Sequence, residues 1–380
     1  MVLVDVVIVG AGVVGCSIAL KLLETFPHVS VAVLERNESE FSEASRHNSG
    51  VVHSGVHQNP DFLKSKLARQ GSTLLIEFCE REHVPHRKCG MVIAAARRDL
   101  AGLTSELKSL WLLYRNSRTQ KIPIRLLSGK GIRKLEPRVR AALGIYLPEV
   151  WMVDQGELGR ALRSAAEKGG ARFFFGAEVK WITRRVSSYE LETTQRKRYR
   201  ARLVVNAAGV SSDAVSALAG FNGYKIFPYR GEYYEVVGPK KDLIRGTLVY
   251  PALPPKHPVK GIHLTKSMDG RLLVGPNAKP WKSTQDDFSV HTPPDEFLDG
   301  ARRFLPSLTR DDLVWAYSGL RAKVNPGKGE DDFLVRFETP AFPMFVSLVG
   351  IESPGLTAGL ALAEYVAEVI ETKAHDSGFL

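Results

Sequence analysis

Near its start the chain carries residue types whose spacing suits the binding of a diphosphate. Gly10-Ala11-Gly12-Val13-Val14-Gly15 holds three glycines at the interval of a dinucleotide turn. In such a turn the first glycine permits the tight bend and the second lets backbone approach the pyrophosphate. The third lets the following helix pack closely, with its positive end toward the anion. Glu35 lies 20 residues beyond Gly15, where a carboxylate can accept hydrogen bonds from a ribose. An acid there, rather than an arginine, argues against a 2′-phosphate. Cys16, Cys79 and Cys89 form neither a disulfide framework nor a metal spacing. Cys16 reads as a packing residue, and no residue set has the spacing of metal ligands, so no metal is expected.

These residues need a βαβ unit to hold them, and the local pattern supplies one. The β-branched run Val6-Val7-Ile8-Val9 ends in the glycines, a helical stretch reaches Thr25, and a second strand over 29–34 stops at Glu35. Asn59-Pro60-Asp61 reads as a capped helix start, with Leu63, Leu67, Leu74, Leu75 and Phe78 as the apolar stripe behind it. Strand signals run from 172 to 205 and end in Ala207-Ala208-Gly209, a meander whose last strand can rejoin a parallel sheet. Residues 221–278 alternate apolar and polar types and are rich in Tyr and Pro, which predicts a second, antiparallel sheet. A strand at 345–349, a loop and a closing helix over 356–370 complete the pattern. The expected class is α/β: a Rossmann-like domain built from both chain ends (1–80, 145–220 and 320–380), with an inserted α+β substrate lobe (81–144 and 221–319).

The bulk properties fit a globular chain. Of 380 residues 44% are hydrophobic and 24% charged, enough chain for a substantial core. The longest uncharged runs fall short of a membrane span and are broken by glycine, and no targeting pattern precedes the first strand, so a reducing, cytoplasmic location is expected. The net charge of +11 admits nucleic acid, an anionic membrane face or an anionic substrate as its cause. Its densest cluster, Arg196, Lys197, Arg198, Arg200 and Arg202, puts four arginines at alternate positions and reads as a solvated strand face. No aromatic-interleaved or nucleic-acid motif accompanies it, which disfavours nucleic acid.

A larger set of ordered blocks narrows the reading. They are His47-Asn48-Ser49-Gly50-Val51-Val52-His53-Ser54-Gly55, Asn206-Ala207-Ala208-Gly209, Arg230-Gly231-Glu232-Tyr233, His263-Leu264-Thr265, Asp269-Gly270, Gly275-Pro276-Asn277-Ala278, Gly319-Leu320-Arg321-Ala322 and Ser353-Pro354-Gly355-Leu356-Thr357. Over nearly its whole length the chain resembles the FAD-dependent oxidoreductases of the D-amino-acid-oxidase and glycerol-3-phosphate-dehydrogenase superfamily, most closely the L-2-hydroxyglutarate dehydrogenase/oxidase family. The resemblance implies FAD as cofactor. It assigns to FAD the turn residues Gly10, Gly12, Val14 and Gly15, then Glu35 and Arg36, and the stretch Ser45, Arg46, Asn48, Ser49, Gly50, Val51 and Val52. Further assigned are the backbone of Val179 near the adenine, Ala208, Gly209, Gly319 and Arg321, and the block Gly350, Ile351, Glu352, Ser353, Pro354, Gly355, Leu356 and Thr357 at the flavin ring. A helix start aimed at the N1/O2 edge of the ring would stabilise the negative charge of a reduced flavin.

The implied reaction, oxidation of a 2-hydroxy acid, requires a cation for the carboxylate, a base for the hydroxyl proton and a hydride acceptor. Arg321 is the first choice for the carboxylate, because a planar guanidinium matches it bidentately. His53 and His263 are the candidate bases, His53 first, since imidazole titrates near neutrality. A five-carbon diacid needs a second contact, for which Arg230, Lys266, His57 and Lys323 compete. Tyr233 and Tyr250 are expected along the pocket. Where the hydroxyglutarate enzymes carry paired tyrosines, and the glycerol-phosphate enzymes an Arg-Tyr pair, this chain has His57-Gln58. The expected partners are a small anionic substrate and an electron acceptor such as a quinone, with peripheral membrane contact as a further option. Oxidation of sn-glycerol 3-phosphate is the nearest alternative, amino-acid or sarcosine-type oxidation a more distant one. A flavin-bearing scaffold protein is the alternative of another class.

Overall fold

A computed structural model describes residues 1–96, 99–253, 261–324 and 331–377. Within the expected 221–278 segment, 254–260 lie outside the described residues.

Four apolar runs lie side by side and parallel in the order Val31–Leu34, Val6–Val9, Leu203–Asn206, Met344–Val349. Every residue in them is buried, as continuous apolar strands in a doubly covered sheet require. Alternation assigns the two faces. Val6 and Ile8 meet a layer formed by the helices Val13–Thr25, Leu63–Arg81 and Gly355–Ser377, whereas Val7 and Val9 meet a meander of Val179–Arg184, Tyr189–Thr193 and Arg198–Ala201. Arg172–Phe174 adds a parallel edge, and Leu334–Phe337 an antiparallel one. Both chain ends thus build one Rossmann-like sheet, as the sequence predicts.

The second sheet has nine strands, framed by the long antiparallel pair Phe227–Val236 and Leu313–Lys323. It differs from the all-antiparallel expectation: Leu248–Pro251 runs parallel to Met91–Ala95. The register of partners some 150 residues apart leaves no local trace in either strand. Leu313–Lys323 also runs unbroken across 319–320, where the sequence suggests a domain change, and Leu143–Leu147 belongs to this sheet. Between the sheets, Val51–Val52, Trp151–Val153 and His86–Lys88 form a three-stranded strip.

Two local expectations need correction. The helix Leu63–Arg81 is capped not by Asn59 or Asp61 but by the Asp332 carboxylate, which accepts the N–H groups of Leu63 (2.7 Å) and Lys64 (2.9 Å). Of the four alternating arginines, only Arg198 and Arg200 lie on the strand, because Arg196 sits in a turn at φ +58°. Those two pair with Glu192 (2.7 Å) and Glu190 (2.5 Å) of the adjacent strand, so the strand part of the patch is matched by acids.

Candidate active site

The glycine turn is shaped by close approach. Gly10, at φ +105°, leaves no room for a side chain, since a Cβ would lie 2.6 Å from the Ala207 carbonyl oxygen; one on Gly15 would collide with the Gly10 carbonyl. At the helix start the Ser45 hydroxyl accepts the Val13 N–H at 2.9 Å, beside Gly12, with Val14 in the same first turn. Glu35 reaches back into the turn. One carboxylate oxygen accepts the Ala11 N–H (2.7 Å) and the other accepts from the Asn37 backbone and side chain. Arg36 pairs with Glu43 at 2.6 Å, and Arg46 with Asp154 at 3.6 Å. The Ala177 N–H donates to the Glu35 carbonyl at 2.7 Å, which sets Val179 just beyond the end of the second strand. Ala208 and Gly209 follow Asn206, whose side-chain carbonyl accepts the Ala208 N–H.

From this turn the chain runs along the junction of the two sheets. Asn48 organises it. Its side chain donates to the carbonyls of Ala44 and Ser45 and accepts the Gly50 N–H, and its own carbonyl accepts from Gln155 (2.7 Å) and the Tyr317 hydroxyl (2.9 Å). Gly319 lies so close to the His47 backbone that any side chain there would clash. Further on, the His53 N–H donates to the Thr357 hydroxyl at 3.0 Å, and that hydroxyl also reaches the Val51 carbonyl. Thr357 lies in the first turn of the helix Gly355–Ser377, so the 350–357 block and the 47–53 segment are fastened together.

Opposite stands an aromatic wall on one face of the nine-stranded sheet. Register sets Tyr233 against Tyr317 and Tyr229 against Arg321. The Tyr233 and Tyr317 rings stack with centroids 4.7 Å apart, and His263 lies flat on Tyr250 at 3.8 Å and 9°. The His57 ring lies 6.3 Å from that of Tyr250, and His263 Nδ1 lies 3.0 Å from the Thr265 hydroxyl. Burial pushes the Tyr233 and Tyr250 phenols above their ordinary range, while Arg321 and the Ser49 side chain pull the other way. Both stay protonated at neutral pH and are hydrogen-bond donors. Among the described residues no carboxylate or other acceptor engages the Arg321 guanidinium. It is a half-buried cation facing two buried phenols.

The remaining candidate cations are occupied elsewhere. Arg230 does not face the wall. It lies on the opposite side of its strand, buried, bound to Glu232 (2.9 Å), Asp286 (2.6 Å), the Ser318 hydroxyl (2.8 Å) and the Asp287 carbonyl. Lys266 is also turned away: alternation on His263–Lys266 gives it the face of Leu264, and it pairs with Asp242 at 2.8 Å. Lys323 shares the face of Arg321 but pairs with Glu352 at 3.5 Å. Tyr317 was not among the sequence candidates. Its signal was the period-two pattern 317, 319, 321, which sets it on the face of Gly319 and Arg321. The three cysteine thiols are all pushed up by burial, Cys79 and Cys89 to about 12, and are inert as thiolates at neutral pH.

Comparison with known proteins adds the following. The sequence profile described as DAO, FAD dependent oxidoreductase, matches residues 5–369. The L-2-hydroxyglutarate dehydrogenase of Salmonella houtenae is 26% identical over 404 residues, covering 97% of this chain and 93% of that protein. The human mitochondrial L-2-hydroxyglutarate dehydrogenase is 27% identical over 420 residues, covering 97% and 89%. Among solved structures, the dithionite-reduced L-alpha-glycerophosphate oxidase of Mycoplasma pneumoniae with FAD bound superposes with a TM-score of 0.87 at 26% identity, covering 98% of this chain and 95% of that one.

Proposed function

The chain belongs to the DAO family of FAD-dependent oxidoreductases, and from that premise we propose that it oxidises an L-2-hydroxy acid to the 2-oxo acid, L-2-hydroxyglutarate first. A quinone or other carrier then takes the electrons. The observation that carries this reading is Arg321, a guanidinium that no carboxylate among the described residues engages, beside buried phenols on a surface that faces the 47–53 segment. The names of the curated relatives support the same substrate.

The residues suit the cofactor. Gly10 and Gly15 make a cradle that a Cβ would fill, Ser45 sits at the helix start, and the Glu35 carboxylate is held in the turn. Bound there, FAD supplies the hydride acceptor. The protein's own part is to bind, orient and deprotonate. Arg321 takes the C1 carboxylate in a bidentate grip, and the Tyr233 and Tyr250 hydroxyls donate to substrate oxygens. His53, fixed through its backbone to Thr357 at the start of the last helix, takes the C2 hydroxyl proton. His263 acts as support: its ring bears on Tyr250 and its Nδ1 is engaged by Thr265. His57, its ring 6.3 Å from that of Tyr250, meets the distal carboxylate of a five-carbon diacid.

The likeness to L-alpha-glycerophosphate oxidase supports a second reading, oxidation of glycerol 3-phosphate. A phosphate dianion favours two or more cationic partners. Arg230, Lys266 and Lys323 are all matched with carboxylates, so the site favours a carboxylate. Anaerobic titration of the FAD-loaded enzyme separates the two. Bleaching of the flavin band by L-2-hydroxyglutarate, and not by glycerol 3-phosphate, is expected. Bleaching by glycerol 3-phosphate alone establishes the second reading, and no bleaching by any 2-hydroxy acid ends the first.

A further inference from the structure

The helix Leu100–Thr119 is buried on one side only. Leu110 and Leu113 pack into the nine-stranded sheet, whereas Leu100, Leu107, Trp111 and Tyr114 are exposed. Steps of seven, four and three residues bring these four to one helical face. Leu126 extends the same surface. It sits opposite Ile145 on the edge strand Arg125–Ser128, hence on the sheet face that this helix covers, and it too is exposed. A soluble surface scatters its large apolar residues, so a contiguous stripe containing a tryptophan marks a contact.

The charge around the stripe identifies what it contacts. Residues 101–140 hold ten Lys and Arg, every one exposed. The same stretch holds two acids, Glu106 and Glu136, both buried. Glu106 accepts the Ala96 N–H and pairs with Arg303, and Glu136 accepts the N–H groups of Arg245, Gly246 and Thr247. Neither offsets the surface charge. Asp99 caps the helix through the Gly102 N–H and is the acid nearest its start. Arg115 lies over the Trp111 ring at 4.9 Å, so charge and aromatic surface are interleaved at the centre of the stripe.

We propose that this face docks on an anionic bilayer, with Leu107, Trp111, Tyr114 and Leu126 entering the headgroup boundary and the surrounding Lys and Arg meeting lipid phosphates. An amphipathic helix with apolar residues flanked by cations binds in that manner, without crossing the membrane. Among the described residues no helix is long and apolar enough to span one. The docking helix also reaches the site. The Asn116 side chain donates to the carbonyls of Val56 (2.6 Å) and Gln58 (2.8 Å), which flank His57. A membrane at this face therefore lies against the element that carries one wall of the substrate pocket. The proposal is independent of which substrate that pocket takes.

Sedimentation of the FAD-loaded enzyme with vesicles tests it. The wild type is expected to pellet with vesicles of phosphatidylcholine and phosphatidylglycerol, to stay in solution with phosphatidylcholine alone, and to be released by salt. Leu107→Ser with Trp111→Ser, both at exposed positions, is expected to weaken binding by at least about tenfold, a change of about 1.4 kcal/mol. Its flavin spectrum and turnover of a soluble acceptor should be unchanged. Lys108→Glu with Arg118→Glu is expected to weaken binding by a similar factor. Failure of the wild type to pellet with anionic vesicles overturns the proposal, as does undiminished pelleting of the Ser variant. A wild-type dimer in sedimentation velocity that the Ser variant abolishes also overturns it, and assigns the face to a second copy of the chain.

Discussion

The imidazole of His263 lies on the ring of Tyr250, centroids 3.8 Å apart and planes 9° from parallel. A parallel stack this close fixes the phenol in its plane, while Thr265 at 3.0 Å fixes the imidazole. If the part of His263 is to hold Tyr250, its ring matters more than its nitrogens. His263→Phe is then expected to keep kcat within about threefold of wild type, because a flat ring of similar area preserves the stack. His263→Ala, which leaves a gap beside Tyr250, is expected to lose about tenfold or more. Equal, large losses in both variants would make His263 the base instead.

His53→Asn probes the proton transfer directly. Removal of a general base costs about 10²–10⁴-fold in kcat. The variant should retain its flavin absorbance, because the contact of His53 with Thr357 is made by the backbone. A pH profile of kcat/KM is the decisive measurement: its acidic limb should vanish in His53→Asn and persist in His263→Phe.

Arg321→Lys keeps the charge and loses the planar fork. A charge-assisted hydrogen bond contributes about 1.5–3 kcal/mol, so KM for the 2-hydroxy acid is expected to rise about 10–100-fold. Bound FAD and melting temperature should change little, since Arg321 has no partner among the described residues. A large fall in melting temperature would mean that the arginine serves the fold.

Gly15→Ala tests the cofactor turn. The added methyl would collide with the Gly10 carbonyl, within the backbone that must stay tight for the helix start to meet a pyrophosphate. The purified variant is expected to be colourless, or to take up FAD at least about tenfold more weakly, a change of about 1.4 kcal/mol. Full flavin absorbance would show that the turn can widen without cost.

What the sequence made legible was what is local. The three glycines, the alternation of 6–9 and the terminal Glu35 specify the βαβ unit within a few dozen residues, and the unit forms as written. The availability of a cation is not local. Arg230, Lys266 and Arg321 look alike along the chain, and what separates them is Asp286, 56 positions from Arg230, and Asp242, 24 positions from Lys266. The cap of the helix Leu63–Arg81 comes from 269 positions away. Such partners are fixed by tertiary packing, and a single sequence holds no trace of the pairing. Tyr317 is different in kind, since alternate spacing from Arg321 already set it on the same strand face.

The network around Arg230 makes the nine-stranded sheet sensitive to acid. Burial alone would raise the Glu232 carboxyl, but the Thr292 hydroxyl and N–H, Asn277 and Arg230 together hold it below its ordinary value. A depressed carboxyl stabilises the fold at pH above its unfolded value, about 4.3 for glutamate, and that contribution is lost as pH falls through the lower folded value. The melting temperature of the wild type is therefore expected to decline as pH falls from about 5 to about 3. Glu232→Gln should be less stable at neutral pH, by about 1–3 kcal/mol, and melt lower, because Arg230 loses one of its buried partners. Over the acidic range its decline should be shallower, since the group whose protonation drives part of the loss is gone. Thermal unfolding of both proteins across this range measures the difference, and parallel slopes would assign the acid sensitivity to other carboxyls.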